Sequence, residues 1–310
     1  MDLLYDVGLS RKLHANEVIC EFGAYFGRST CSLAQGLIDG EIEYLDRRTP
    51  PLHTYDIFSC RESSYFSQYV LADAASIQSS HLLERTFNRV SWLKLFERCT
   101  ADLPDGLLAY HVCELKNAEP PDAIIAGVLF DAPKWFQEYI QILEKFGPKM
   151  RIGCLIVFQD YFYHWSATVI AAIQIMMDRG LIEPQETAAS SLLVKVVRKI
   201  SIQEIQEIKE DFQSCDVVEK ISASIAYFDS FEINQRDRFF SRLELAAIQY
   251  LMERGMADVA KERLATLKRK AGNSLSPSVV KDFQDLQSHN FSLRSVYEAD
   301  VDASIDGEIG

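Results

Sequence analysis

An α/β architecture, a parallel sheet with helices on both faces, is predicted by three observations. Over the first ~200 residues, short apolar runs alternate with stretches in which apolar residues recur at three-to-four spacing. Some runs, such as CLIVF at 154–158, are hydrophobic without alternation, as strands covered on both faces are. Proline and glycine close the elements, at Pro50-Pro51, Gly147-Pro148 and Gly180.

Taken in order, VICEF at 18–22 reads as the first strand, followed by a helix over 27–37. LHTYDI at 52–57 is the second strand, and 77–90 reads as helical. LLAYHVC at 107–113 and AGVLFD at 126–131 are the third and fourth strands, the latter leading to a helix over 133–146. The run at 154–158 is the fifth strand, followed by a helix over 166–179. The segments 182–187 and 192–197 suit a terminal antiparallel hairpin.

Beyond ~200 the chain is charged and helical, over 202–213, 236–270 and 278–288. The expected organisation is an α/β domain over 1–200, a helical extension over 201–295 and a disordered acidic tail over 296–310. The extension packs on its own domain, forms a homo-oligomer contact or serves in substrate recognition.

The 310 residues carry a formal net charge of −13, which disfavours a general nucleic-acid surface. No apolar run reaches the ~18 residues of a membrane span, and the N-terminus does not read as a signal peptide. Seven cysteines are scattered singly, with no CxxC spacing. That usage suits a reducing compartment and a cytoplasmic protein.

In such a sheet, ligands bind at the carboxyl ends of the strands. EFGAYFGRST at 21–30 occupies the first of these ends. A phosphate loop needs G-x-x-x-x-G-K-[ST], but Gly23 and Gly27 are one residue too close and Arg28 stands in the lysine position. A dinucleotide fingerprint needs a glycine where Ala24 and Tyr25 stand. Glu21 at the mouth is also a poor neighbour for phosphate.

The spacing E-x-G-x-x-x-G-x-S-T resembles motif I of class I S-adenosylmethionine-dependent methyltransferases, most of all the macrocin O-methyltransferase-like enzymes that methylate small molecules and sugars. The resemblance implies a Rossmann-like sheet and S-adenosylmethionine as cofactor, held by Glu21, Gly23, Gly27, Ser29 and Thr30. The cofactor's ammonium and sulfonium favour Glu21, and its carboxylate suits the amides at a helix start. A purely structural strand-to-helix turn is the competing reading. Asp56 ends the second strand, where the family places an acid near the ribose hydroxyls; it serves equally well as a turn cap.

A second stretch, 128–162, is similar to the family's strand, acid, helix, glycine leader and "DDY" pattern, here FQDY. Asp131, Asp160 and Tyr161 match the strand-end acids and the tyrosine. The resemblance covers 15–200 in outline. In sugar O-methyltransferases of this type, acids at these places hold a divalent metal, which implies Mg²⁺ on Asp131, Gln159 and Asp160. Against that, Gln159 replaces an acid, and Lys134 is a poor neighbour for a cation. Without metal, Asp160, Asp131 or His164 is the candidate general base, His164 doubling as a core or capping residue. Tyr161, Phe162, Tyr163 and Trp165 either wall an acceptor or close the core.

The expected function is methylation of an oxygen on a small-molecule or carbohydrate acceptor, without nucleic-acid or membrane partners. The alternatives are a methyltransferase-like binding or scaffold protein that has lost catalysis, and a nucleotide-dependent enzyme with an altered phosphate loop.

Overall fold

A computed structural model describes residues 2–10, 13–42, 48–163, 166–229 and 236–271. Its main sheet has seven strands in the order β6-β2-β1-β7-β8-β10-β9, and a small sheet has the order β3-β5-β4. The fold is Rossmann-like, mostly parallel and finished by an antiparallel hairpin, as the sequence predicts. The chain divides into two compact units, residues up to Ala132 and the described residues from Pro133 onward.

The first unit begins with α1 (Asp2–Leu9), β1 (Glu17–Phe22) and α2 (Arg28–Asp39). The sequence reading omits α1. It packs on α2 because Gly36 lacks a side chain; a Cβ there would lie 2.2 Å from the Tyr5 carbonyl oxygen. Then come β2 (Leu52–Asp56), β3 (Ser59–Arg61), α3 (Tyr65–Ser76), β4 (Glu84–Thr86), β5 (Arg89–Ser91), α4 (Leu93–Thr100), β6 (Leu108–Val112) and β7 (Ile124–Phe130).

The helix expected over 77–90 is a correction. The helix lies earlier, as α3, where Ser64 caps it by accepting from the Ser67 amide at 3.2 Å. Residues 84–91 are instead a hairpin whose β5 pairs with β3, Cys60 opposite Val90. Strands this short owe their form to partners distant in sequence, which local periodicity does not register.

Strands β6, β2, β1 and β7 are parallel, and the chain reverses its direction of growth between β1 and β7. Such a switch point opens a crevice at the carboxyl ends. One row of rings crosses these four strands: Phe130 on Phe22, Phe22 on Tyr55 and Tyr55 on His111, all stacked within 5.3 Å. His111 Nε2 also pairs with His53 Nδ1 at 3.0 Å, and His53 Nε2 with Thr49 Oγ1 at 2.9 Å.

The second unit contains α5 (Phe136–Phe146), β8 (Met150–Phe158), α6 (Ala167–Asp178), β9 (Ile182–Ala188) and β10 (Ser191–Val196). β10 pairs antiparallel with both β8 and β9, forming the expected hairpin. Helices α7 (Ile202–Ser214), α8 (Val217–Asp229), α9 (Arg236–Glu253) and α10 (Ala257–Ala271) follow. Ser201 caps α7 by accepting from the Glu204 amide at 3.2 Å. The single helical stretch read over 236–270 is two helices, broken at Gly255 and folded together around Leu245, Ile248, Leu251, Ala260 and Leu267. The helix expected over 278–288 and the tail over 296–310 lie outside the described residues. No helix among the described residues is long and apolar enough to cross a membrane.

Burial, chiefly, and the neighbouring His111 lower the His53 pKa to about 4, against an ordinary value of 6.5. Between these values the unfolded chain binds the proton and the folded chain does not. His53 therefore costs stability as pH falls from about 6.5 toward 4, by up to about 3 kcal/mol. The buried carboxyls Glu21 and Asp56, raised by desolvation, act in the opposite sense. The readout is thus a difference: His53→Gln should lose less stability than wild type between pH 7 and pH 4.5 in urea titrations.

Candidate functional site

The first unit places the opening turn at the switch point. Glu21 is 0% exposed, near the carboxyl end of β1. Its Oε2 accepts from Thr30 Oγ1 on α2 at 2.5 Å and from Thr54 Oγ1 on β2 at 2.7 Å. Its Oε1 is buried with no hydrogen-bond partner. Desolvation raises the Glu21 pKa, opposed by the nearby hydroxyls of Ser29, Thr30 and Thr54. Ser29, half-buried in the first turn of α2, favours the anion by proximity but does not satisfy Oε1.

The turn itself is held by Asp56. One carboxylate oxygen accepts from the amides of Ala24 at 2.9 Å and Tyr25 at 3.0 Å; the other accepts from Phe58 at 2.7 Å. Burial pushes the Asp56 pKa up, and these amides oppose the shift. The capping reading of Asp56 therefore describes its contacts within the protein.

Gly23 has φ +94, and a Cβ there would lie 2.7 Å from both Cβ and N of Ala132. Ala132 in turn donates its amide to the Phe22 carbonyl at 2.9 Å, as Asp131 does. The turn thus presses its bare backbone against the end of β7. Gly27, at φ +88, is the N-cap of α2 and abuts Phe96 and Thr100 of α4.

The bulk of Tyr25 and Phe26 in this turn has a structural use: the Tyr25 ring stacks on Phe26 with centroids 3.9 Å apart and meets Phe66 and Trp92 edge-on or tilted. Tyr25 Oη donates to Asp73 of α3 at 3.0 Å. Both rings pack against the insertion formed by β3, α3, β4 and β5.

In the second unit, Asp160 follows β8 and pairs with the Lys134 ammonium, both side chains about four-fifths buried. Lys134 also donates its amide to Glu138 at 3.0 Å at the start of α5. Gln159 accepts from Ser191 Oγ through its carbonyl at 3.1 Å. The structure gives no support to the Mg²⁺ site expected on Asp131, Gln159 and Asp160. Asp160 already has a cationic partner that a metal would have to displace, and no group of three or more His, Cys, Asp or Glu among the described residues could hold a metal.

Of the two readings of Tyr161 and Phe162, the structure shows the core-closing one. Both are core residues, packed edge-on against Phe228 of α8. Tyr161 Oη donates to Ser224 at 3.1 Å, and Ser224 donates to Gln174 at 2.7 Å. His164 and Trp165 lie outside the described residues.

No protein-family model matches the chain, and no curated protein sequence does. Solved structures similar to it include the O-methyltransferase NovP, at 15% identity over 64% of this chain and 79% of that one, with a TM-score of 0.44. CalS11, a TDP-rhamnose 3'-O-methyltransferase of calicheamicin biosynthesis, is 16% identical over 63% and 76%, with a TM-score of 0.39. An rRNA methylase from Streptococcus thermophilus is 11% identical over 63% and 95%, with a TM-score of 0.35. At scores this low, the likeness says nothing of what this chain acts on.

Two substitutions check these contacts. Gly23→Ala should destabilise by about 2 kcal/mol or more, since its Cβ meets the Ala132 backbone at an unfavourable φ. Tyr161→Phe should cost only about 1 kcal/mol, the value of one buried hydrogen bond. Chemical denaturation reads both; a neutral Gly23→Ala would contradict the close approach.

Proposed function

We propose that the chain is an S-adenosylmethionine-dependent methyltransferase acting on an oxygen of a small molecule or sugar. The observation that carries this reading is the unpartnered Oε1 of Glu21, buried beside a glycine turn at the sheet's switch point. A buried carboxylate oxygen without a donor is costly, and a ligand ammonium is the donor that fits it. The turn fits the rest of an amino-acid cofactor: the opening amides of α2 at Ser29 and Thr30 suit a carboxylate, and Gly23 and Gly27 supply the positive φ angles that shape the turn. Asp56, already bracing the turn, would accept from ribose hydroxyls through Oδ1.

When bound, the cofactor supplies an electrophilic methyl group on sulfur. The chain's own residues handle the acceptor proton: a hydroxyl loses it to a carboxylate, Asp131 or Asp160, as its oxygen forms the new bond. His164 is the third candidate for that proton. In the second unit, Lys134 beside Asp160 would steady negative charge on the acceptor oxygen. No step is assigned to a metal, because the donor set does not fit one.

A second reading, a cofactor-binding protein without catalysis, is favoured by the same ion pair. It leaves Asp160 engaged by Lys134, and Tyr161 and Phe162 are committed to the core.

Calorimetry with S-adenosylhomocysteine separates these readings. Wild type should bind it, and Glu21→Gln, which keeps the shape but loses the charge, should bind about 10-fold or more weakly. Absence of binding to both S-adenosylmethionine and S-adenosylhomocysteine sinks both readings. Asp160→Asn should leave that affinity unchanged and lower methyl transfer by about 100-fold or more. Binding with no transfer to any of a panel of sugars and phenols would favour the non-catalytic protein.

A further inference from the structure

Arg242 of α9 is 4% exposed, within the second unit. Its guanidinium lies over the Tyr163 ring, 4.7 Å from the centroid, and its Nε has no hydrogen-bond partner. Among the described residues no carboxylate pairs with it. The nearby Glu244 of the same helix is taken by Arg263 of α10 at 2.6 Å. Arg179 of the same unit is by contrast met by three carboxylates, Glu204, Glu207 and Asp211.

An arginine does not relieve burial by losing its proton. A ring face compensates only part of the hydration that a buried guanidinium gives up. The remaining demand is for an anion. Tyr163 shows where that anion would sit. Its amide donates to the Asp160 carbonyl at 3.1 Å, so the ring under Arg242 belongs to the turn that leaves the carboxyl end of β8. Ligands of such sheets bind at this end of the strands. In a chain of net charge −13, an acidic ligand also needs a local cation to be held at all.

We infer that Arg242 anchors the anionic group, a carboxylate or a phosphate, of a ligand bound at the carboxyl end of β8. Resting on the methyltransferase reading, that ligand is the acceptor, and the acceptor class is an acidic sugar or other small acid rather than a neutral one. Arg suits the task because its planar fork matches both groups with two parallel hydrogen bonds.

The test is thermal melting of the full chain with glucuronate, glucose 6-phosphate or glucose at equal concentration. One or both acids should raise the Tm of wild type, and glucose should not; which acid acts separates carboxylate from phosphate. The shift should vanish in Arg242→Met and persist, reduced, in Arg242→Lys. Without ligand, Arg242→Met should melt about 2–4 °C above wild type, because an apolar side chain replaces an unpaired buried charge. A lower Tm would mean that the chain itself already satisfies the guanidinium, and would overturn the inference. So would the absence of any acid-dependent shift in wild type, or an equal shift in Arg242→Met. S-adenosylhomocysteine affinity should be the same in wild type and Arg242→Met. If wild type fails to bind it, the methyltransferase reading falls, while the melting data still decide the anion site.

Discussion

The carboxylate of Asp56 is the interaction on which the turn after β1 depends. A strand that stops at a tight turn leaves backbone amides without partners inside the protein. Asp56 gathers three of them, from Ala24, Tyr25 and Phe58. In doing so it ties the end of β2 to the turn after β1. The turn then delivers Gly27 as the cap of α2, which sets Thr30 against Glu21. Asp56, Glu21, Gly27 and Thr30 in this chain of contacts are buried, so each depends on the others for its hydrogen bonds.

This arrangement also accounts for the bulk inside the turn. Tyr25 and Phe26 point their apolar surface into the insertion between β2 and α4, where Trp92, Phe66 and Phe58 receive them. These bulky residues are thus part of the packing that holds the turn. The two-unit division puts the turn with its carboxyls in one unit and the Lys134–Asp160 pair with Arg242 in the other.

The long elements were legible because their periodicity is local. β1, α2, β2, β6, β7, α5, α6 and the β9–β10 hairpin all lie where apolar runs and glycine or proline breaks place them. The short elements were not. β3, β4 and β5 have three residues each and take their form from each other across some thirty positions, Ser59 opposite Ser91. At the site, Glu21 and both glycines stood out in the sequence, but the hydroxyls of Thr30 and Thr54 did not. Lys134 was visible as an obstacle to metal binding, whereas its pairing with Asp160 depends on how α5 begins. Arg242 carries no motif; a single arginine in a charged helical stretch reads as a solvated side chain.

The sequence by itself determined the α/β class, the place of the glycine turn after β1 and the positions of its acids, because hydrophobic period and backbone-breaking residues act over a few neighbours. Only the tertiary structure decided what those acids do. Hydrogen bonds and burial are set by groups distant along the chain: Asp56 became a brace for backbone amides, Glu21 kept one oxygen without a donor, and Tyr161 joined the core through Ser224. Burial also made Arg242 distinctive, since a guanidinium's need for an anion arises only when the fold removes it from water.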